Sequence, residues 1–105
     1  MKEKIFYQEQ IKKKLKELSD SLTELTFKAE QLQADAAVEL EEQIESLRDK
    51  QHRIREKLEE LEAESGEAWE DIKDGIEHAW SDIKRGVDNA WSRFQSDRKH
   101  EKKLH

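Results

Sequence analysis

The residues best suited to bind a metal ion are the four histidines, because the sequence contains no cysteine. A helix presents two imidazoles to one metal ion when they are four residues apart. None of the histidines has another histidine at that spacing. The sequence therefore predicts no metal or cofactor site, and solvent-exposed side chains at His52, His78, His100 and His105.

Pairs of adjacent carboxylates, such as Glu41 with Glu42 and Glu59 with Glu60, are the groups that could act in acid–base catalysis. Such a role needs burial, which shifts the pKa of a carboxyl group, and a pocket that excludes water. A single helix offers no enclosed pocket. We therefore predict no catalytic residues and no enzymatic activity.

The charge balance bears on partners and location. Charged residues make up 44% of the chain and the net charge is −6. General nucleic-acid binding needs a positive surface, so no nucleic-acid partner is expected. The apolar run from Ile5 to Tyr7 is too short for a signal peptide, and the lack of cysteine fits a reducing compartment. These features predict a cytoplasmic protein.

The elements that would position any site are helices. Proline is absent, and apolar residues recur every three or four residues from Ile11 to Phe94, interrupted only by Gln51 and Ser65. This spacing places them on one face of a helix and predicts an all-α, coiled-coil fold. The residues expected at an interface with partner helices are Leu15, Leu18, Leu22, Leu25, Leu32, Leu40, Ile44, Leu47, Gln51, Ile54, Leu58, Leu61, Trp69, Ile72, Ile76, Trp80, Ile83, Val87, Trp91 and Phe94.

The lengths of these steps divide the chain into three parts. Residues 1–64 follow heptad steps, which favour left-handed packing, with one extra step of four residues between Ala36 and Leu40. Residues 65–98 follow an eleven-residue, or hendecad, repeat, which favours straighter packing. Residues 99–105 are predicted to form a charged tail.

The weakest point of the predicted helix is the pair Ser65-Gly66. Gly66 can end one helix, and Ser65 can cap the next. We predict one long helix that is continuous or kinked at this pair, with a helical hairpin as the alternative.

The hendecad repeat is marked by Trp69, Trp80 and Trp91. Eleven residues end about 20° past three full turns of a helix, so the three rings lie along one face. Small residues form a second line at the edge of that face, where they let another backbone approach closely: Ala68, Gly75, Ala79, Gly86 and Ala90. We interpret the two lines together as one continuous packing surface.

Several segments resemble a widespread group of small bacterial coiled-coil domain proteins. The similarity covers residues 25–95 and is most specific in the spacing of Ala68-Trp69, Gly75, Ala79-Trp80 and the segment 90–94. Trp91 stands where these proteins often have a small residue. The resemblance implies an all-α fold and a bacterial origin, and it implies no activity, because the group is essentially uncharacterised.

Gln51 is the polar residue inside the Leu/Ile part of the stripe. A polar residue at such a position usually fixes helix register or oligomer number at some cost in stability. We therefore expect Gln51→Leu to raise the melting temperature while making the oligomeric state less uniform.

A lone helix with this stripe would expose a large apolar surface, so the sequence predicts a partner. We expect a homo-oligomer, from dimer to tetramer, that acts as a structural or interaction protein. The alternative is a phasin-like peripheral protein that coats a membrane or a lipid or polymer granule through residues 67–94. Those residues carry net negative charge, which disfavours anionic lipids and leaves a neutral granule as the better surface.

Overall fold

The computed structural model describes the backbone of residues 2–64 and 66–103 and the side chains of residues 3–64 and 66–95. Within these ranges the chain forms three helices and no strand: α1 spans Lys2–Ala29, α2 spans Ala34–Ala63 and α3 spans Trp69–Lys103. The predicted all-α class is confirmed. The helices are long because good helix formers dominate and no proline interrupts them.

The chain turns back between α2 and α3, as in the helical hairpin that the sequence left as the alternative to one long helix. The amide of Glu64 donates to the carbonyls of Glu60 and Leu61, at 3.1 and 3.3 Å, and closes the last turn of α2. The amide of Gly66 then donates to the Glu64 carboxylate at 3.0 Å. Ser65, the predicted cap, lies outside the described residues.

A second turn, at residues 30–33, was not expected from the sequence. This segment contains neither glycine nor proline. The amide of Leu32 donates to the Ala29 carbonyl at 3.1 Å, a tightened bond of the kind that ends a helix. Leu32 is itself buried in the core, so tertiary packing overrides the local preference for helix at this point. The extra step in the heptad pattern, between Ala36 and Leu40, begins just after this turn.

The three helices form an up–down–up bundle measuring 60 × 18 × 17 Å. Ion pairs join the antiparallel neighbours: Lys12 of α1 lies 3.4 Å from Glu62 of α2, and Glu39 of α2 pairs with Arg93 near the other end of α3. Helices α1 and α3 run parallel, since Lys14 lies over the Trp80 ring and, further along both helices, Lys28 lies over the Trp91 ring.

The apolar stripe lies in the centre of this bundle. Most of its members from all three helices form one buried cluster, and the remainder pack against that cluster. At the far end of α3 the helical backbone continues through Lys103, past the boundary expected at residue 98. Leu104 and His105 are outside the described residues.

Candidate interaction surface

The residues predicted at an interface between copies lie mainly in the core of a single chain. Every predicted member on α1, on α2 and in the turn between them is buried, as are Ile76, Ile83 and Phe94 of α3. The predicted need for a partner assumed one long helix that does not fold back on itself. Two turns let one chain cover most of its own stripe. The predicted members that remain partly exposed all lie on α3: Trp69, Ile72, Trp80, Val87 and Trp91.

The line of small residues on α3 faces α2. A Cβ atom added to Gly86 would lie 2.6 Å from Cδ2 of Leu47, which is far too close for two carbon atoms. Gln43 of α2 also donates to the Gly86 carbonyl at 3.4 Å, and Ala90, one turn further along α3, is fully buried. The small-residue line therefore lets side chains of another helix pack closely at Gly86, and that helix belongs to the same chain.

Two of the tryptophans, Trp80 and Trp91, lie on the other edge of the same face and contact α1. The ammonium of Lys14 is 5.8 Å from the centre of the Trp80 ring, and that of Lys28 is 5.9 Å from the Trp91 ring. The indole of Trp91 also donates to the Ser21 hydroxyl at 3.4 Å. These cations lie within the range of favourable cation–π attraction. The hendecad thus serves two helices, with small residues toward α2 and rings toward α1.

A groove open to solvent runs between α1 and α3. Its volume is about 410 Å³. Leu18 of α1 and Ile83 of α3 are its buried members, and Trp80 and Val87 are the partly exposed apolar ones. The remaining lining residues are charged or polar: Lys14, Glu17 and Ser21 of α1, and Lys84 and Asp88 of α3. We call this feature the α1–α3 groove.

The buried Gln51 links α2 to α1. Its side-chain amide donates to the Leu15 carbonyl at 3.2 Å and to the Ser19 hydroxyl at 2.6 Å. The side chain is 5% exposed. The register that these bonds define is therefore the register between two helices of one chain, and its predicted effect on oligomer number stays a prediction.

Tyr7 lies near the beginning of the α1–α3 contact, with the ammonium of Lys73 5.2 Å from its ring. Its hydroxyl is buried and has no hydrogen-bond partner of good geometry in the described part of the chain. Burial raises the pKa of this phenol above its ordinary value of 10.0, and the nearby carboxylates of Glu77 and Asp74 raise it further. Each of these effects disfavours the phenolate. Tyr7 continues the apolar spacing four residues before Ile11, but the sequence did not indicate the surroundings of its hydroxyl, because Asp74 and Glu77 come from a helix that follows it by more than sixty residues.

Metal-binding groups do not gather anywhere in the described residues: none of the histidine, aspartate and glutamate side chains there form a group of three that could hold an ion. His52 pairs with Glu56 on the exposed face of α2 at 3.1 Å. His78 is exposed and contacts the Asp74 carbonyl in its own helix at 2.9 Å. Within the same ranges, each helix lacks the length or the apolar character that crossing a membrane requires.

Comparisons with protein families, with curated proteins and with solved structures find no match to this chain. The resemblance to small bacterial coiled-coil proteins therefore stays a prediction. The surface properties of the bundle are the basis for a functional proposal.

Proposed function

We propose that this chain is a structural or interaction protein that associates with itself through its helices and performs no catalysis. The observation that carries the proposal is the α1–α3 groove. It combines partly exposed Trp80 and Val87 with charged residues at its edges. Interfaces between proteins have this composition, with aromatic residues enriched at the centre and polar residues at the rim.

The state of the three tryptophans supports the same proposal. Trp69, Trp80 and Trp91 are the largest side chains of α3, and one chain alone leaves each of them partly exposed. Further burial of such rings contributes more to association than burial of small or flexible residues. The bacterial cytoplasm is the location that we propose, on the basis of the sequence resemblance and the lack of cysteine.

Light scattering on a size-exclusion column, over a wide range of protein concentration, tests this function. The chain has a mass of 12.5 kDa. We expect a mass of two to four chains, together with blue-shifted tryptophan emission in buffer alone. A mass of one chain at every concentration contradicts self-association.

Flotation with lipid droplets of neutral surface, in the same buffer, tests the alternative role as a granule coat. Co-flotation of a monomeric chain, with an emission blue shift that appears only when the droplets are added, favours the coat. An oligomer that stays in the dense fraction favours the proposed function.

A further inference from the structure

The edge of α3 that borders the α1–α3 groove carries charges in a regular order. Lys84 and Asp88 line the groove. Lys73 and Glu77 precede them by one hendecad each, so they lie on nearly the same face of the helix, about 20° away. Read along α3, the signs alternate: positive at 73, negative at 77, positive at 84 and negative at 88.

When two copies of this helix lie antiparallel, this order of charges sets each positive residue of one copy against a negative residue of the other. If a second copy of α3 lies antiparallel and level at Trp80, then Lys73 faces Asp88 of the second copy and Glu77 faces Lys84 of the second copy. Both pairs belong to one register, because 73 with 88 and 77 with 84 have the same midpoint between residues 80 and 81. A two-fold axis repeats each pair, as an interface between identical copies requires.

The opposite edge of the groove, on α1, also carries opposite charges that face each other when two copies lie antiparallel, and it does so at the same level along the bundle. Lys14 and Glu17 line this edge, and reversal about their midpoint sets Lys14 against Glu17 of the second copy. The same register pairs Gln10 with Ser21, two side chains that can form a hydrogen bond. Lys14 contacts the Trp80 ring, so the midpoints on α1 and on α3 differ by about one residue, or ~1.5 Å along the axis.

We propose that the α1–α3 groove is the interface of an antiparallel dimer, in which two copies meet groove to groove with their Trp80 rings beside the two-fold axis. The proposal rests on the proposed self-association and specifies its surface and orientation. Of the charges at the rim, Glu17, Lys84 and Asp88 are in no ion pair within residues 3–64 and 66–95, whereas Lys14 and Lys73 also lie over aromatic rings of their own chain. Such rim charges set orientation and partner choice more than total affinity.

A charge reversal within one chain tests the pairing, with the dimer dissociation constant measured by sedimentation. Lys84→Glu sets two glutamates against each other at both symmetric contacts, and we expect the dissociation constant to rise at least tenfold. Adding Glu77→Lys to Lys84→Glu restores opposite charges in the antiparallel register and should recover most of the affinity. Arg85→Glu is the matched control, because it makes the same change of charge on the next residue, which does not line the groove.

The double variant also distinguishes the two orientations. In a parallel dimer, Lys84 lies level with Glu17 of the second copy, so Lys84→Glu weakens that arrangement as well. Glu77→Lys does not repair it, because residue 77 then lies level with the uncharged Gln10. Recovery by the double variant therefore supports the antiparallel dimer alone.

Cysteine cross-linking gives a second test that does not depend on reversed charges, because the natural chain has no cysteine. Ser81→Cys places a thiol beside the proposed axis, and we expect mild oxidation to link two copies. Ser92→Cys is the control at the same position of the next repeat. Its two thiols would be roughly 35 Å apart in the antiparallel dimer, at ~1.5 Å per residue, which is far beyond the reach of a disulfide.

The outcomes separate the two proposals. A chain that sediments as a monomer at every concentration overturns both. An oligomer that is unaffected by Lys84→Glu, that the double variant does not restore, or that is linked through Ser92→Cys and not through Ser81→Cys overturns the groove dimer and leaves self-association standing.

Discussion

Gly86 of α3 and Leu47 of α2 are in contact so close that a Cβ atom at position 86 would lie 2.6 Å from the leucine Cδ2. Leu47 is 2% exposed and has neighbours on every side. With Leu47 in this conformation, the space beside residue 86 holds no Cβ atom. Gly75, one repeat earlier, differs: a Cβ atom there would lie 3.5 Å from Nζ of Lys57, which is ordinary contact.

Gly86→Ala should therefore lower the stability of the bundle, whereas Gly75→Ala should raise it. Alanine favours a helix by about 1 kcal/mol over glycine at both positions. At position 86 this gain is outweighed by displacement of a packed leucine, which typically costs ~1–3 kcal/mol. Urea denaturation followed by circular dichroism gives both free energies of unfolding. Equal stabilisation by the two substitutions would show that Leu47 moves aside without cost.

Lys4→Met should destabilise the turn between α2 and α3. The Lys4 ammonium is buried and donates to the Glu64 carbonyl and, at 3.5 Å, to the Glu62 carbonyl. It therefore places a cation at the end of α2, where the helix dipole and the free carbonyls are negative. We expect a loss of about 1–2 kcal/mol in the free energy of unfolding. Lys13→Met is the control, because Lys13 is an exposed residue of α1, the helix that also contains Lys4. This substitution should change the free energy of unfolding little.

Gln51→Leu should raise the melting temperature, as expected from the sequence, because it removes a buried polar side chain from the core. Leucine replaces a buried amide by an apolar side chain among apolar neighbours. The Ser19 hydroxyl keeps a donor, since Arg55 reaches it at 3.3 Å, and it is only partly buried. No partner is left buried without a hydrogen bond, and such replacements are often neutral or stabilising. A melting temperature lowered by several degrees contradicts this expectation.

Tyr7→Phe should be more stable than the natural chain at neutral pH, by about 1 kcal/mol, because it removes a buried hydroxyl that has no hydrogen-bond partner of good geometry within the described residues. The natural chain should also lose stability above about pH 10. Its folded-state phenol has a pKa raised above the unfolded value, so the unfolded chain releases the proton first and is favoured as the pH rises.

Melting temperatures of both proteins between pH 8 and pH 11 test this pH effect. Lysines titrate in the same range, so the informative quantity is the difference between the two proteins, which should grow with pH. Absorbance of the phenolate follows the titration directly, since Tyr7 is the only tyrosine. A titration near pH 10 in the folded chain would contradict the raised pKa.

The periodicity of the sequence predicted most of the buried residues between Leu15 and Phe94, because helical spacing alone determines which side chains share a face. It could not predict which helix would cover that face. Burial by a second chain and burial by the same chain produce the same stripe. The turn at residues 30–33 is an example, since its local sequence favours helix and yet Leu32 there packs into the core.

The candidate surface was predictable in part. The tryptophan line and the small-residue line were both visible in the sequence, and Gly86 of the second line packs against Leu47 of α2. The tryptophan line faces α1 at Trp80 and Trp91, and the small-residue line faces α2. This arrangement depends on the handedness with which the three helices assemble, and the spacing of residues along the chain does not determine that handedness. The surroundings of the Tyr7 hydroxyl were missed for the same reason, because Lys73, Asp74 and Glu77 belong to α3.

The position of the tryptophans has a consequence for how folding can be observed. Helices that follow each other in the chain are joined by short loops. Because the whole of α2 separates α1 from α3 along the chain, we expect the contact between α1 and α3 to form most slowly. Trp80 and Trp91 contact Lys14, Ser21 and Lys28 of α1. Their fluorescence therefore reports the docking of the first helix rather than formation of the α2–α3 hairpin, and in a stopped-flow experiment it should lag behind the helical signal.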